Sequence, residues 1–113
     1  MIINGVELEN IDLMDSDVME RVENAIDSIA HIDEQCEGMK TSTAMKYQCN
    51  AIFQLFNNIF GEGTDKKIFG DKTNLLVCIK AFEEFVAGLN EQNAEIEKFR
   101  SRYSKNRAQR RVK

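Results

Sequence analysis

The segment FGEGTDKKIFGDKTNL, residues 60–75, carries the strongest suggestion of chemistry in this chain. Three glycines, three lysines and two threonines lead into an apolar run, a composition that could wrap an anion. A phosphate-cradling loop needs G-x-x-x-x-G-K-[ST], because backbone N–H groups at that spacing surround the phosphate while the lysine reaches its outer oxygens. Here six residues lie between Gly63 and Gly70, and Asp71 stands before Lys72-Thr73, placing a carboxylate where the anion would sit. The apolar pattern ahead of the loop has a helical period, so the strand-loop-helix setting is missing as well. The segment reads instead as a structured connection between helices. Gly61 and Gly63 allow left-handed turns, Asp71 or Thr73 caps the next helix, and Ile68 and Phe69 pin the loop to the core.

The remaining reactive residue types are thinly spread. Cys36, Cys49 and Cys78 are odd in number, far apart and set in helical apolar patterns, which predicts free thiols in a reducing cytoplasm. No C-x-x-C occurs, and His31 is the single histidine, so a zinc site would have to gather ligands from across the fold. His31 falls away from the apolar stripe, among Asp27, Glu34 and Gln35, and reads as a solvated helix residue. Glu83-Glu84 reads as a solvated helix face. With no Ser/His/Asp or Cys/His set to assemble, the expectation is a binding protein without catalysis, cofactor or metal.

At 113 residues, 42% hydrophobic and 30% charged, the chain has the size and balance of one globular domain. Its unbroken apolar runs are only a few residues long, too short to cross a membrane. Met1–Asn10 has no basic residue and no signal-type apolar core, so nothing there suggests secretion. Residues 1–13 predict a β-hairpin: Asn4-Gly5 is a two-residue turn signal, and Val6 and Leu8 alternate with Glu7 and Glu9. A helix is expected over about 15–37, with N-cap oxygens from Asp15, Ser16 or Asp17 and an Asp17-x-x-Glu20 pattern resembling a capping box. Its stripe is Val18, Val22, Ala25, Ile29, Ile32 and Cys36. Gly38 closes it, and Thr41, Ser42 or Thr43 can cap a second helix over 42–60, striped by Met45, Cys49, Ile52, Phe56 and Ile59.

A third helix is expected over about 73–103. Leu75, Ile79, Phe82, Val86 and Leu89 form one face, and Ile96, Phe99 and Tyr103 continue it. The chain has no proline to stop it, and Gly88 is its weak point at roughly 1 kcal/mol relative to alanine. The fold class is therefore mainly α: a small three-helix (or four-helix) bundle with a short N-terminal β-hairpin. Residues 1–103 form the domain, and 104–113 a flexible basic tail. On this register Phe82→Ala should open a core cavity costing roughly 3–5 kcal/mol.

Charge is strongly segregated. Residues 1–39 hold eleven Asp and Glu against the single Arg21, whereas residues 98–113 hold eight Lys and Arg and no acid. The basic end admits three readings. It could neutralise phosphates, with Tyr103 available for stacking; it could suit the helix macrodipole and keep the chain soluble; or it could dock on an acidic protein surface. Candidate partner-binding residues are Phe99, Tyr103, Lys105, Arg107, Arg110 and Arg111. Leu89, Ile96, Phe99 and Tyr103 extend the apolar stripe beyond what two shorter helices can cover, a surface for a partner or for self-association.

Four segments together, IINGVELE, FGEGTDKKIFGDKTNL, CIKAFEEFV and YSKNRAQRRVK, resemble small proteins from the tail-gene region of phages and prophages of Gram-positive bacteria, similar to tail assembly chaperones. The likeness runs the whole length of the chain. It implies a protein made in the bacterial cytoplasm that keeps tape measure or tail tube subunits soluble until the tail polymerises, and that is absent from the finished virion. The competing expectation is a phage-encoded regulator acting on nucleic acid or a host defence nuclease, through the basic tail or through an acidic first helix that imitates a nucleic-acid backbone.

Overall fold

Local sequence accounts for most element ends. The computed structural model describes the backbone of residues 1–112 and the side chains of residues 1–98. Its elements are β1 (Ile2–Ile3), β2 (Val6–Glu7), α1 (Ser16–Ile29), α2 (Ile32–Gln35), α3 (Thr41–Phe60), α4 (Thr64–Phe69) and α5 (Leu75–Val112). The fold is mainly α with an N-terminal hairpin, as the patterning predicts. Ile3 faces Val6 and Ile2 faces Glu7 across the hairpin. The intervening Asn4 and Gly5 both take positive φ, 50° and 77°, the condition for a type I′ turn. Strands of two residues cannot hold themselves, so the hairpin depends on docking. Ile3 is fully buried, and β1 packs against α5.

Asp15 caps α1, its Oδ1 accepting from the N–H groups of Asp17 at 2.9 Å and Val18 at 3.4 Å. The Asp17–Glu20 capping box does not form, because Asp17 already lies inside the first turn. The expected helix over 15–37 is also interrupted: α1 ends at Ile29 and α2 is a single turn. Residues 27–37 hold four carboxylates and no Lys or Arg, and acids at a helix C-terminus oppose its dipole. At α3, Lys40 is the N-cap and makes no side-chain cap bond, so Thr41 to Thr43 sit within the first turn rather than capping it. Gly61 ends α3 at φ 115°, its N–H donating to the Asn57 carbonyl at 2.9 Å.

Asn74, rather than Asp71 or Thr73, caps α5: its Oδ1 accepts from Val77 N–H at 3.2 Å. With no proline and no glycine beyond Gly88, α5 continues past the expected end at 103 to Val112. The expectation of a flexible tail concerned residues 104–113, whose side chains lie outside the described residues.

The packing face of α5 differs from the expected one. Its buried residues are Cys78, Ala81, Phe85 and Leu89, while Ile79 is 41% exposed and Phe82 and Val86 are half-buried. Both faces are apolar, so periodicity could not choose between them. The small Cys78 and Ala81 are fully buried on this face. On α3 the buried set is Cys49, Ile52, Leu55, Phe56 and Ile59, which adds Leu55 to the expected stripe and leaves Met45 45% exposed. α3 is the centre of the molecule, packing against α1, α4 and α5.

The Cys78 thiol lies beside Cys49, and the Phe85 ring lies 5.7 Å from Phe56, seven residues further along each helix. α3 and α5 therefore run side by side in the same sense. Residues 61–74 must carry the chain back along α3, and α4 lies within that return, packed on α3 through the buried Ile68 and Phe69.

The core assignment moves the mutational expectation from Phe82 to Phe85. Phe85 is fully buried between Phe56 and Phe60, so Phe85→Ala should cost roughly 3–5 kcal/mol in chemical denaturation, whereas the half-buried Phe82→Ala should cost less. A larger loss at Phe82 would show that the register is misassigned.

Candidate functional site

The glycine- and lysine-rich loop turns many of its amides onto its own backbone and Asn57. The N–H of Gly61 donates to Asn57, that of Thr64 to the Gly61 carbonyl, that of Lys67 to Gly63, that of Gly70 to Lys66 and that of Lys72 to Phe69. Asp65 N–H donates to Asn57 Oδ1 at 3.0 Å, and the Thr64 hydroxyl donates to the Gly61 carbonyl at 2.6 Å. Lys66 pairs with Asp71 at 3.6 Å. Much of the loop's hydrogen bonding serves its own geometry. Gly63, at φ 91°, supplies the left-handed entry to α4 that a side chain would resist.

The cysteines and the histidine sit in contrasting surroundings. Cys49 and Cys78 are fully buried, and burial, reinforced by the hydrogen bond and charge interaction with Cys49, pushes the Cys78 thiol up to about 12. Thiolate, the reactive form, is therefore suppressed at neutral pH. Cys36 is half-buried, its Sγ 3.9 Å from the Ala44 carbonyl. The His31 side chain is exposed, with Nδ1 3.9 Å from Glu34 Oε2. Among the described residues, no group of three or more His, Cys, Asp or Glu is placed to hold a metal ion. No helix among them is long and apolar enough to cross a membrane.

What the fold does assemble is an acidic trough along α5. The hairpin builds one wall. Asn4 serves twice, as a turn residue and as a clamp: its Nδ2 donates to the Ile68 carbonyl at 2.8 Å and its N–H reaches the Glu84 carboxylate at 3.3 Å. Met1 lies across α5 at Gly88, where a Cβ would stand 2.6 Å from the Met1 Cε. Gly88, a weak point on propensity grounds, thus makes room for the N-terminal side chain. Between these segments and α5 lies a groove of about 650 Å³ bordered by Glu84, Glu91 and Glu95. A second groove of about 390 Å³ adjoins it at Gln92 and Glu95, lined by Asp12, Leu13, Met14 and Ile96. No Lys or Arg lines either groove among the described residues. The Met1 ammonium sits at the wall, donating to the Leu8 carbonyl at 3.2 Å and to Asn10 Oδ1 at 2.9 Å.

This trough was not found by sequence reasoning, although part of its signal was present. Glu84, Gly88, Glu91 and Glu95 recur at steps of four, three and four on one face of α5. Asp12 and the hairpin wall come from some eighty residues away and carry no such mark. Of the apolar stripe expected to meet a partner, Leu89 is instead buried and Ile96 packs against the core, whereas Phe99, Tyr103, Lys105, Arg107, Arg110 and Arg111 all fall on the C-terminal part of α5. Their side chains lie outside the described residues. A thiol-counting titration of the folded protein at pH 8 should report Cys36 promptly and the other two only after denaturation. Prompt reaction of all three would contradict the buried Cys49–Cys78 pair.

No curated protein and no solved structure matches the chain. The likeness that does emerge covers residues 4–113, from the hairpin turn that walls the trough to the basic end of α5. Over that span the chain belongs to the DUF6673 family, a family of unknown function.

Proposed function

We propose that the protein is a non-catalytic binding protein of tail morphogenesis, similar to phage tail assembly chaperones, that holds tape measure or tail tube subunits in the host cytoplasm and is absent from the mature virion. The observation that supports this reading is the length and charge of α5. The helix runs for 38 residues, about 57 Å at 1.5 Å per residue, whereas Ile96 is the last residue along it packed against the described core. A basic arm on an acidic helical body suits transient capture of a long helical partner, which an amphipathic groove or helix face can recognise without chemistry. The resemblance of the four sequence segments supplies the tail-assembly context.

The alternative, an arm acting on nucleic acid or a host nuclease, draws on the same basic residues. It is opposed by the body: all nineteen acidic residues precede position 98, and their field repels a duplex. Removal of residues 104–113 separates arm from body. The truncated chain should keep its thermal midpoint within about a few degrees, as for an unburied terminus. Its capture of a co-expressed tape measure or tail tube subunit should fall by about tenfold or more. Unchanged capture, or loss of the fold, would sink the docking-arm reading. In a gel-shift titration, a steep negative dependence of affinity on salt would favour nucleic acid instead.

A further inference from the structure

We infer that the acidic trough receives the basic end of α5 from a second copy of the chain, so that the protein associates with itself. The trough offers carboxylates from Asp12, Glu84, Glu91 and Glu95 over apolar ground supplied by Leu13 and Ile96. Residues 98–113 offer the complement: eight cationic side chains and no acid, with Phe99 and Tyr103 four residues apart on one helix face. Charge complementarity of this kind selects the partner and its orientation.

The occupant must come from another molecule. Trough and basic end lie on the same continuous helix, which climbs 1.5 Å per residue, so Arg107 stands about 18 Å beyond Glu95 along the axis. A straight helix cannot fold its own end back onto its middle. A parallel pairing is disfavoured too, because it would set two basic ends, and two acidic troughs, side by side. The contact that remains is antiparallel: each copy gives its end and receives another's, and two copies can do so reciprocally. The reciprocal pair leaves no free trough or arm and closes at two copies, whereas a one-way contact would continue into longer assemblies. The inference concerns the protein alone and does not rest on the tail-assembly reading.

Sedimentation of the purified full chain tests it without any tail protein present. At low ionic strength the weight-average mass should rise with protein concentration, and it should return to the monomer near 0.5 M salt, where the screening length is only about 4 Å. Two variants should each stay monomeric: E91K/E95K, altered at two exposed positions, and the chain lacking residues 104–113. Mixed together, these should form a heterodimer and nothing larger, because one retains only a working arm and the other only a working trough. Circular dichroism checks that each is folded. If E91K/E95K does not fold, E91Q/E95Q takes its place. A monomer at every concentration would overturn the inference. So would a salt-insensitive dimer, self-association that survives the trough substitutions, or a mixture that stays monomeric.

Discussion

The Phe56 ring is the contact on which the arrangement of helices depends. It is fully buried and meets three other rings: Phe60 at 6.3 Å on its own helix, Phe69 at 5.9 Å on the return segment and Phe85 at 5.7 Å on α5. Tilted and edge-on pairs of this kind contribute roughly 0.5–1.5 kcal/mol each beyond the burial of their area. One side chain thereby ties together three consecutive elements. It also constrains direction. With Phe85 on Phe56 and Cys78 beside Cys49, α5 must run along α3 in the same sense, and a short antiparallel turn between them is impossible.

The 61–74 segment follows from that constraint. It has to travel back along α3, roughly 16 Å for the eleven residues from Cys49 to Phe60, before α5 can begin. A return over an apolar helix buries what it can, which is why Ile68 and Phe69 sit in an otherwise polar loop and why the Phe69 ring lies tilted 4.9 Å from Phe53. The glycines provide the reversals and the buried Thr64 hydroxyl is satisfied locally. A loop that looks built for a phosphate is built to reverse the chain.

The hairpin completes the body in the same economical way. Asn4 joins the turn to both the return segment and α5, and Met1 fills the space left at Gly88. Laying the hairpin on α5 also creates the acidic trough, because Glu84, Glu91 and Glu95 then line a concave wall rather than an open helix face. The opposite charge is carried on the far part of the same helix. Residues 1–97 hold nineteen acids against seven bases, and residues 98–113 hold eight bases alone. A molecule polarised along its length has a built-in direction for whatever it binds.

The sequence by itself determined the elements whose causes are local. The Asn4-Gly5 turn was legible because only a few residue types tolerate positive φ at both positions. The α3 span was legible from its long stripe and from Gly61, and the charge segregation needed no structure at all. The division of the first helix into α1 and α2 was less legible, since the apolar period continues across the break while the carboxylates oppose it. Only the tertiary structure decided which face of α5 is inward, since Ile79-Phe82-Val86 and Cys78-Ala81-Phe85 are both apolar at helical spacing and the choice rests on packing against α3. It decided the parallel course of α3 and α5 as well, because a periodic stripe carries no information about direction. The trough belongs wholly to this second class: its walls come from the two ends of the described chain, and no local pattern records that packing brings them together.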